Sequence, residues 1–222
     1  MNLKPSEVLD AMKLTIEPND AFYEAERIKE ARRMGDKSQM IADLATEEGQ
    51  IALGIPPRYH GAECSDFPSF QGEIEGLAMQ KIPLLTLVGA VGVGKTRALY
   101  AMYRAVLREG RKCKLFSVPV LIKELQALSA RGGGEELERL RDIYEARYVV
   151  LLDDLGMEKE TAFTINDLDI IIGQREKWDL PTAITSNLPI REIAEKLDKR
   201  IADRLAGGTV LEFRGKSKRL GK

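Results

Sequence analysis

The sequence predicts a parallel α/β sheet covered by helices, and three observations carry that prediction. From Leu84 onward, short apolar runs alternate with helix-length amphipathic stretches, the texture of strands buried on both faces and of the helices that bury them. Five such runs can be placed, enough for a sheet. The chain of 222 residues is 44% hydrophobic and 31% charged, which suffices for one well-buried domain with an appendage.

Before that texture begins, residues 5 to 53 mix charged and small apolar residues without a strand-like run, and Pro5, Asn19 and Asp36 offer helix starts. Three helices are predicted there. Their apolar stripe (Ala21, Ala25, Ile28, then Met40, Ile41, Leu44) is too thin for an independent core. Residues 1 to 53 therefore read as a helical appendage or docking arm, and residues 54 to 222 as the main domain. Gly54 to Pro57 break the last of these helices, and RYHGAECSDFPSFQG follows as an irregular lead-in carrying Tyr59, Phe67 and Phe70. The strands are LLTLV (84 to 88), KLFSV (114 to 118), YVVLL (148 to 152), TAITS (182 to 186) and TVLEF (209 to 213). Helices fill the intervals at about 95 to 109, 119 to 130, 135 to 146, 161 to 178 and 189 to 205. In the last of them Ile193, Leu197, Ile201 and Leu205 recur four apart, so they pin it to the sheet and Arg204 projects from its flank. Arg200 and Arg204 share a face, a pattern equally served by a solvated surface on which Lys199 and Asp203 form an ion pair.

Charge is balanced overall, 34 Lys and Arg against 35 Asp and Glu, but unevenly spread. Residues 1 to 80 hold 8 basic and 15 acidic side chains, and residues 191 to 222 hold 10 and 5. An acidic front and a basic tail fit different partners, although scatter over a solvated surface gives the same front. Two cysteines, Cys64 and Cys113, and the single His60 cannot supply the four ligands of a structural zinc. They read as free thiols in a reducing cytoplasm. The N-terminus has no apolar core after its lysine, and no apolar window reaches ~18 residues, so neither secretion nor membrane insertion is indicated.

The chemistry begins with GAVGVGKT, Gly89, Ala90, Val91, Gly92, Val93, Gly94, Lys95 and Thr96, followed by Arg97. It fits G-x-x-x-x-G-K-[ST] between a strand and a helix, the context that a phosphate-binding loop requires. Backbone N–H groups turn inward around a phosphate, and the helix N-terminus adds partial positive charge. Lys95, read as solvent-facing at the helix start, is placed to reach the β and γ phosphates of ATP, and the Thr96 hydroxyl to ligate Mg²⁺. LLDDLG then ends the third strand with two adjacent carboxylates. In a P-loop NTPase the first, Asp153, holds Mg²⁺ and the second, Asp154, polarises the attacking water. That pair argues for hydrolysis rather than binding alone. TAITSN ends another buried strand in Asn187, which either orients the attacking water beside the phosphate loop or forms a turn.

In this order GAVGVGKT, LLDDLG, TSNL, KRIADRL and RGKSKR resemble the AAA+ ATPases of the DnaC and DnaI helicase-loader subgroup, and the transposition helper ATPase IstB looks similar. The resemblance covers about residues 54 to 222 and includes GIPPRYHG and PTAITSNLP. It implies a P-loop core with strand order 5-1-4-3-2, in which the Asn187 strand lies between the other two motif strands. It also implies roles: Asp153 as the Walker B metal acid, Asp154 as catalytic base and Asn187 as sensor 1. Arg204 corresponds to an arginine finger acting at the boundary of a self-oligomer, Arg219 to the sensor-2 arginine and Arg200 to a second arginine of the same box. Aspartate stands where most ATPases of this layout have glutamate second. Nine residues follow the last strand, so no helical C-terminal lid is expected, and the N-terminal zinc module of some loaders is missing.

The implied function is an ATP-hydrolysing helicase loader that binds single-stranded DNA and a replicative DnaB-type helicase, with the acidic front as the helicase contact. Lys123 and Arg131, in the segment corresponding to a DNA-contacting element of loaders, could reach phosphates; Val120, Leu121, Leu125 and Leu128 make the same segment an ordinary covering helix. An IstB-type helper that binds duplex DNA and a transposase is the alternative within the fold. A P-loop kinase for a small metabolite is the alternative outside it, and a nucleotide-gated adaptor without catalysis is a third.

Overall fold

The computed structural model describes residues 37–156, 161–215 and 217. Five parallel strands form one sheet, β1 (Leu84–Gly89), β2 (Cys113–Ser117), β3 (Val149–Leu155), β4 (Thr182–Ser186) and β5 (Thr209–Phe213). Their order is β2-β3-β4-β1-β5, the 5-1-4-3-2 order that the family resemblance implies. Strand β4 therefore separates β1 from β3, and its tip stands between theirs.

Side-chain alternation along the strands divides the interior into two cores. Leu85, Leu87, Leu151 and Ala183 point to one face, where Leu99 and Met102 of α4 (Lys95–Arg108) and Ile74 and Leu77 of α3 (Gln71–Ala78) cover them. Leu84, Val150, Leu152 and Ile184 point to the other. There they meet α5 (Val118–Arg131), α6 (Glu135–Tyr144), α7 (Ala162–Lys177), α8 (Ile190–Lys196) and α9 (Lys199–Gly207) through Leu125, Ile143, Ile171, Ile193 and Ile201. Beneath the N-terminal strand ends Arg175 is wholly buried. It donates to Thr182 Oγ1 and to the carbonyls of Ile143, Ala146, Tyr148 and Pro181 at 2.7–3.0 Å, as a buried cation must. Burial pulls its guanidinium down to about 9, still charged at neutral pH.

Four of the strands begin and end within a residue of the ranges read from sequence, and β3 runs on through Leu155. The lead-in is more ordered than expected, with 3-10 turns at Pro57–Tyr59 and Cys64–Asp66 before α3. The helix expected over 189 to 205 is two helices, broken at Leu197 and Asp198. Asp198 caps α9 by accepting from Arg200 N at 2.6 Å, an N-cap arrangement. Of the three N-terminal helices, those expected from Pro5 and Asn19 lie outside the described residues. The third is split into α1 (Lys37–Ala45) and α2 (Glu47–Ala52), with Thr46 capping the second. Residues 37–53 belong to the same compact unit as the sheet. Leu44, Ile55 and Leu107 form a small core there, and Tyr103 Oη donates to Leu53 O at 3.0 Å. Cys64 and Cys113 are free and buried, and burial pushes the Cys64 thiol up to about 11. Among the described residues no helix is long and apolar enough to cross a membrane.

Candidate nucleotide-binding site

Strand β1 delivers the chain to the glycine-rich loop, and α4 begins immediately after it. Gly94, the N-cap of α4, has φ +114°, a left-handed conformation that favours glycine. Val93 tucks into the core while Val91 stands exposed at the loop tip. The Lys95 side chain does not face solvent as its position at a helix start suggests. It is 5% exposed, and its Nζ donates to Gly89 O at 2.6 Å, Ala90 O at 2.8 Å and Asn187 Oδ1 at 2.8 Å. An ammonium carries three donors, and burial is tolerable only where oxygens meet them. The bond to Asn187 joins the phosphate loop to the tip of β4.

The acid pair sits on a break in the β3–β4 ladder. Leu152 pairs with Ile184 and Leu155 with Ser186, so two residues of β3 face one of β4. That is a bulge, which re-aims side chains, and Asp154 has φ +64°. Thr185 fills the gap. Its hydroxyl donates to Asp153 Oδ1 at 2.6 Å and accepts from Asp154 N at 2.9 Å. Thr96 Oγ1 donates to the same Asp153 oxygen at 3.2 Å, so the loop helix and the acid strand converge. Burial pushes the Asp153 carboxyl above the usual carboxylate range, the Thr185 bond pulls it back, and the neighbouring Asp154 charge pushes it up again. One residue further, Ser186 Oγ donates to Leu155 O at 2.8 Å and accepts from Leu188 N at 3.1 Å, fixing the turn that carries Asn187. Thr185 and Ser186 were not among the residues picked out from sequence. Their signal is two adjacent hydroxyl residues at the end of a buried strand.

The donor set suits Mg²⁺, which binds few protein oxygens and keeps phosphates and waters as its other ligands. Thr96 Oγ1 and the Asp153 carboxylate are hard oxygens on one spot. Among the described residues no group of three or more His, Cys, Asp or Glu could form a protein-only cage.

The arginines are dispersed. Arg97 turns away from the loop, donating to Asp66 Oδ2 at 2.9 Å and to Gly61 O at 3.4 Å. Arg204 is bonded to Asp169 of α7 and stands 3.9 Å from Glu176, and Arg200 pairs with Asp198 and with Asp169. Arg219 lies outside the described residues; Ser217, two positions earlier, packs over the loop at Gly92, where a Cβ would collide with its hydroxyl. Lys95, Thr96, Asp153, Asp154 and Asn187 are thus brought together, and Arg97, Arg200 and Arg204 are held elsewhere.

The model of the IstB-like ATP-binding protein family matches residues 78–222. This chain belongs to that family. It is 34% identical over 102 residues to a putative ATP-binding protein in an insertion sequence of Mycobacterium tuberculosis, covering 46% of this chain and 39% of that protein. It is 23% identical over 123 residues to the replicative helicase loader DnaC of Escherichia coli, covering 55% and 50%. The chain thus spans half or less of the length of these relatives. Among solved structures the fold is like that of the DnaC helicase loader, with TM-score 0.62 at 23% identity over 72% of this chain and 100% of that one. DnaI gives 0.60 at 25% identity over 74% and 94%. The replication initiator DnaA gives 0.61 at 17% over 72% and 51%. The fold is the P-loop AAA+ fold.

Proposed function

We propose that the protein hydrolyses ATP and uses the cycle to load or open a replicative helicase on single-stranded DNA. The observation that carries hydrolysis is the convergence of Thr96, Asp153, Asp154 and Asn187 around the loop lysine. A second carboxylate on the bulge beside Asp153 has a use in hydrolysis that binding alone does not give it. In this reading loop N–H groups and Lys95 bind the phosphates, and Thr96 and Asp153 hold Mg²⁺, which supplies charge neutralisation on the phosphates. Asp154 takes a proton from the attacking water, and Asn187 orients it. Arg204 acts on the nucleotide of a neighbouring copy in a cytoplasmic self-oligomer, and Arg219 on the phosphates. The acidic front, residues 1–53, is assigned to the helicase contact.

The insertion-sequence relative at 34% identity favours a second reading, a transposition helper acting on duplex DNA with a transposase. One experiment separates them. Capture from the native host with ATP present should retain a DnaB-type helicase, and single-stranded DNA should raise ATP turnover in a salt-dependent way. A transposase in the eluate, with stimulation by duplex DNA only, would establish the helper instead. Asp154→Asn should bind ATP and not hydrolyse it; unchanged turnover would remove Asp154 from the role of base.

A further inference from the structure

Helix α7 is shaped to receive Arg204. Asp169, Gly173 and Glu176 follow one another on a single face at spacings of four and three residues, and the Arg204 side chain lies across them. Its Nη1 donates to the Asp169 carboxylate and to Asp169 O at 3.3 Å, while Nε stands 3.9 Å from Glu176 Oε2. Nη2 takes no part in these contacts, and the side chain is 30% exposed. Arg200 Nη1 approaches the other Asp169 oxygen at 3.5 Å, so one carboxylate serves both arginines.

Gly173 is the informative member. It lies in the interior of a 16-residue helix, where glycine is less favourable than alanine by about 1 kcal/mol. A Cβ at this position would stand 2.7 Å from Arg204 Cζ and 2.8 Å from Nη1. The guanidinium therefore rests against the helix backbone itself, in space that only glycine leaves open. A part-exposed ion pair contributes about 0 to 1 kcal/mol, no more than the helix loses by carrying glycine. Stability does not account for the arrangement, whereas orientation does. Next to the seat is a hollow of about 400 Å³, lined by Asp169, Gly173, Lys177 and Arg204 among others.

We propose that Asp169 and Gly173 are positioning residues, a seat that fixes the Arg204 guanidinium where its Nη2, which takes no part in the bonds to Asp169 or the approach to Glu176, can serve a neighbouring copy's nucleotide. This rests on the trans role assigned to Arg204 above. The test is steady-state ATP hydrolysis by the full chain over a range of ATP concentrations. Asp169→Asn and Gly173→Ala should each lower kcat about tenfold to a hundredfold, the scale of a misplaced reacting group. KM for ATP and the melting temperature should stay near wild type. Asp169→Glu should recover part of the loss. In an Arg204→Ala background neither substitution should have a further effect, since the side chain they position is gone. If Arg204→Ala itself turns over ATP at the wild-type rate, the trans role fails and the seat with it. If Arg204→Ala is inactive while Gly173→Ala and Asp169→Asn keep full kcat, the seat alone is overturned. Should Asp169→Asn fold poorly, Gly173→Ala reads the same seat with its carboxylate intact.

Discussion

Thr185 bridges the two acids of the site, donating to Asp153 Oδ1 at 2.6 Å and accepting from Asp154 N at 2.9 Å. The bulge leaves the Asp154 N–H without a ladder partner on β4, and the hydroxyl stands in for one. The same atom restrains the Asp153 charge. A single side chain thus supports the backbone of the bulge and opposes the upward push of burial on the carboxylate assigned to the metal.

Thr185→Val keeps the shape and removes the hydroxyl, leaving the Asp154 N–H short of a partner and Asp153 Oδ1 with Thr96 alone. An unsatisfied buried group costs about 1–3 kcal/mol, so the melting temperature should fall. The lost hydrogen bond was one that lowered the Asp153 pKa, so Asp153 should protonate at higher pH than in wild type. The acid limb of the ATPase pH profile should move upward, with a larger loss of activity at pH 6 than at pH 8. Thr185→Ser should restore both properties. A profile that only scales down uniformly would confine Thr185 to folding.

Lys95→Ala should abolish tight ATP binding, read by titration with a fluorescent ATP analogue. Because Lys95 is buried and bonded to Gly89 O, Ala90 O and Asn187 Oδ1, the substitution should also destabilise the nucleotide-free protein. The loss of charged hydrogen bonds sets the scale at about 1.5–3 kcal/mol, visible in a melt without ATP. Equal nucleotide affinity in mutant and wild type would remove Lys95 from the phosphate site.

What the sequence disclosed and what it withheld follow from range. Strands such as 182 to 186 are short runs of β-branched and small residues flanked by Pro181 and Asn187, so their position is a local property. The loop motif is likewise local, and so is the acid pair. The break between α8 and α9 was announced only by Asp198, a capping residue inside a continuous apolar repeat through Leu197 and Ile201, and the repeat masked it. Lys95's burial depends on Asn187, 92 residues away, and Thr185's role depends on a bulge in another strand. The docking of α1 and α2 uses Leu107 against Leu44 and Ile55, and Arg104, which bonds Gln50 of α2 and pairs with Glu63 of the lead-in. No periodicity in either segment foretells such a contact.

Asp167 of α7 predicts a pH effect away from the site. It is 1% exposed, its Oδ2 lacks a hydrogen-bond partner among the described residues, and burial, then the charge of Glu136 on α6, push its carboxyl up to about 7. The folded-state pKa is raised above the unfolded one, so the folded form holds a proton that the unfolded chain releases. Stability from this group is full below the unfolded pKa, about 3.9, and is lost as pH rises through about 7. Asp167→Asn mimics the protonated form. It should raise the melting temperature at both pH 8 and pH 5, by more at pH 8. An equal shift at both pH values would mean that Asp167 does not titrate in this window.

The trans role of Arg204 can be read without any structure of the assembly. Arg204→Ala retains the loop, Lys95 and the acid pair, so it should bind ATP and fail to hydrolyse it. A guanidinium acting on the transferred phosphoryl contributes about 10³–10⁵ in rate, so the loss should be unmistakable against background. Lys95→Ala fails for the opposite reason, having an intact finger and a defective loop. When the two variants are mixed in equal amounts, an interface is competent if the loop comes from the first and the finger from the second. Head-to-tail association at random makes about a quarter of the interfaces competent, so activity should return to roughly that fraction of wild type. Recovery should rise and fall with the mixing ratio and peak near equality. Mixed oligomers that form, by size-exclusion chromatography with differently tagged chains, and yet remain inactive would confine Arg204 to its ion pair with Asp169.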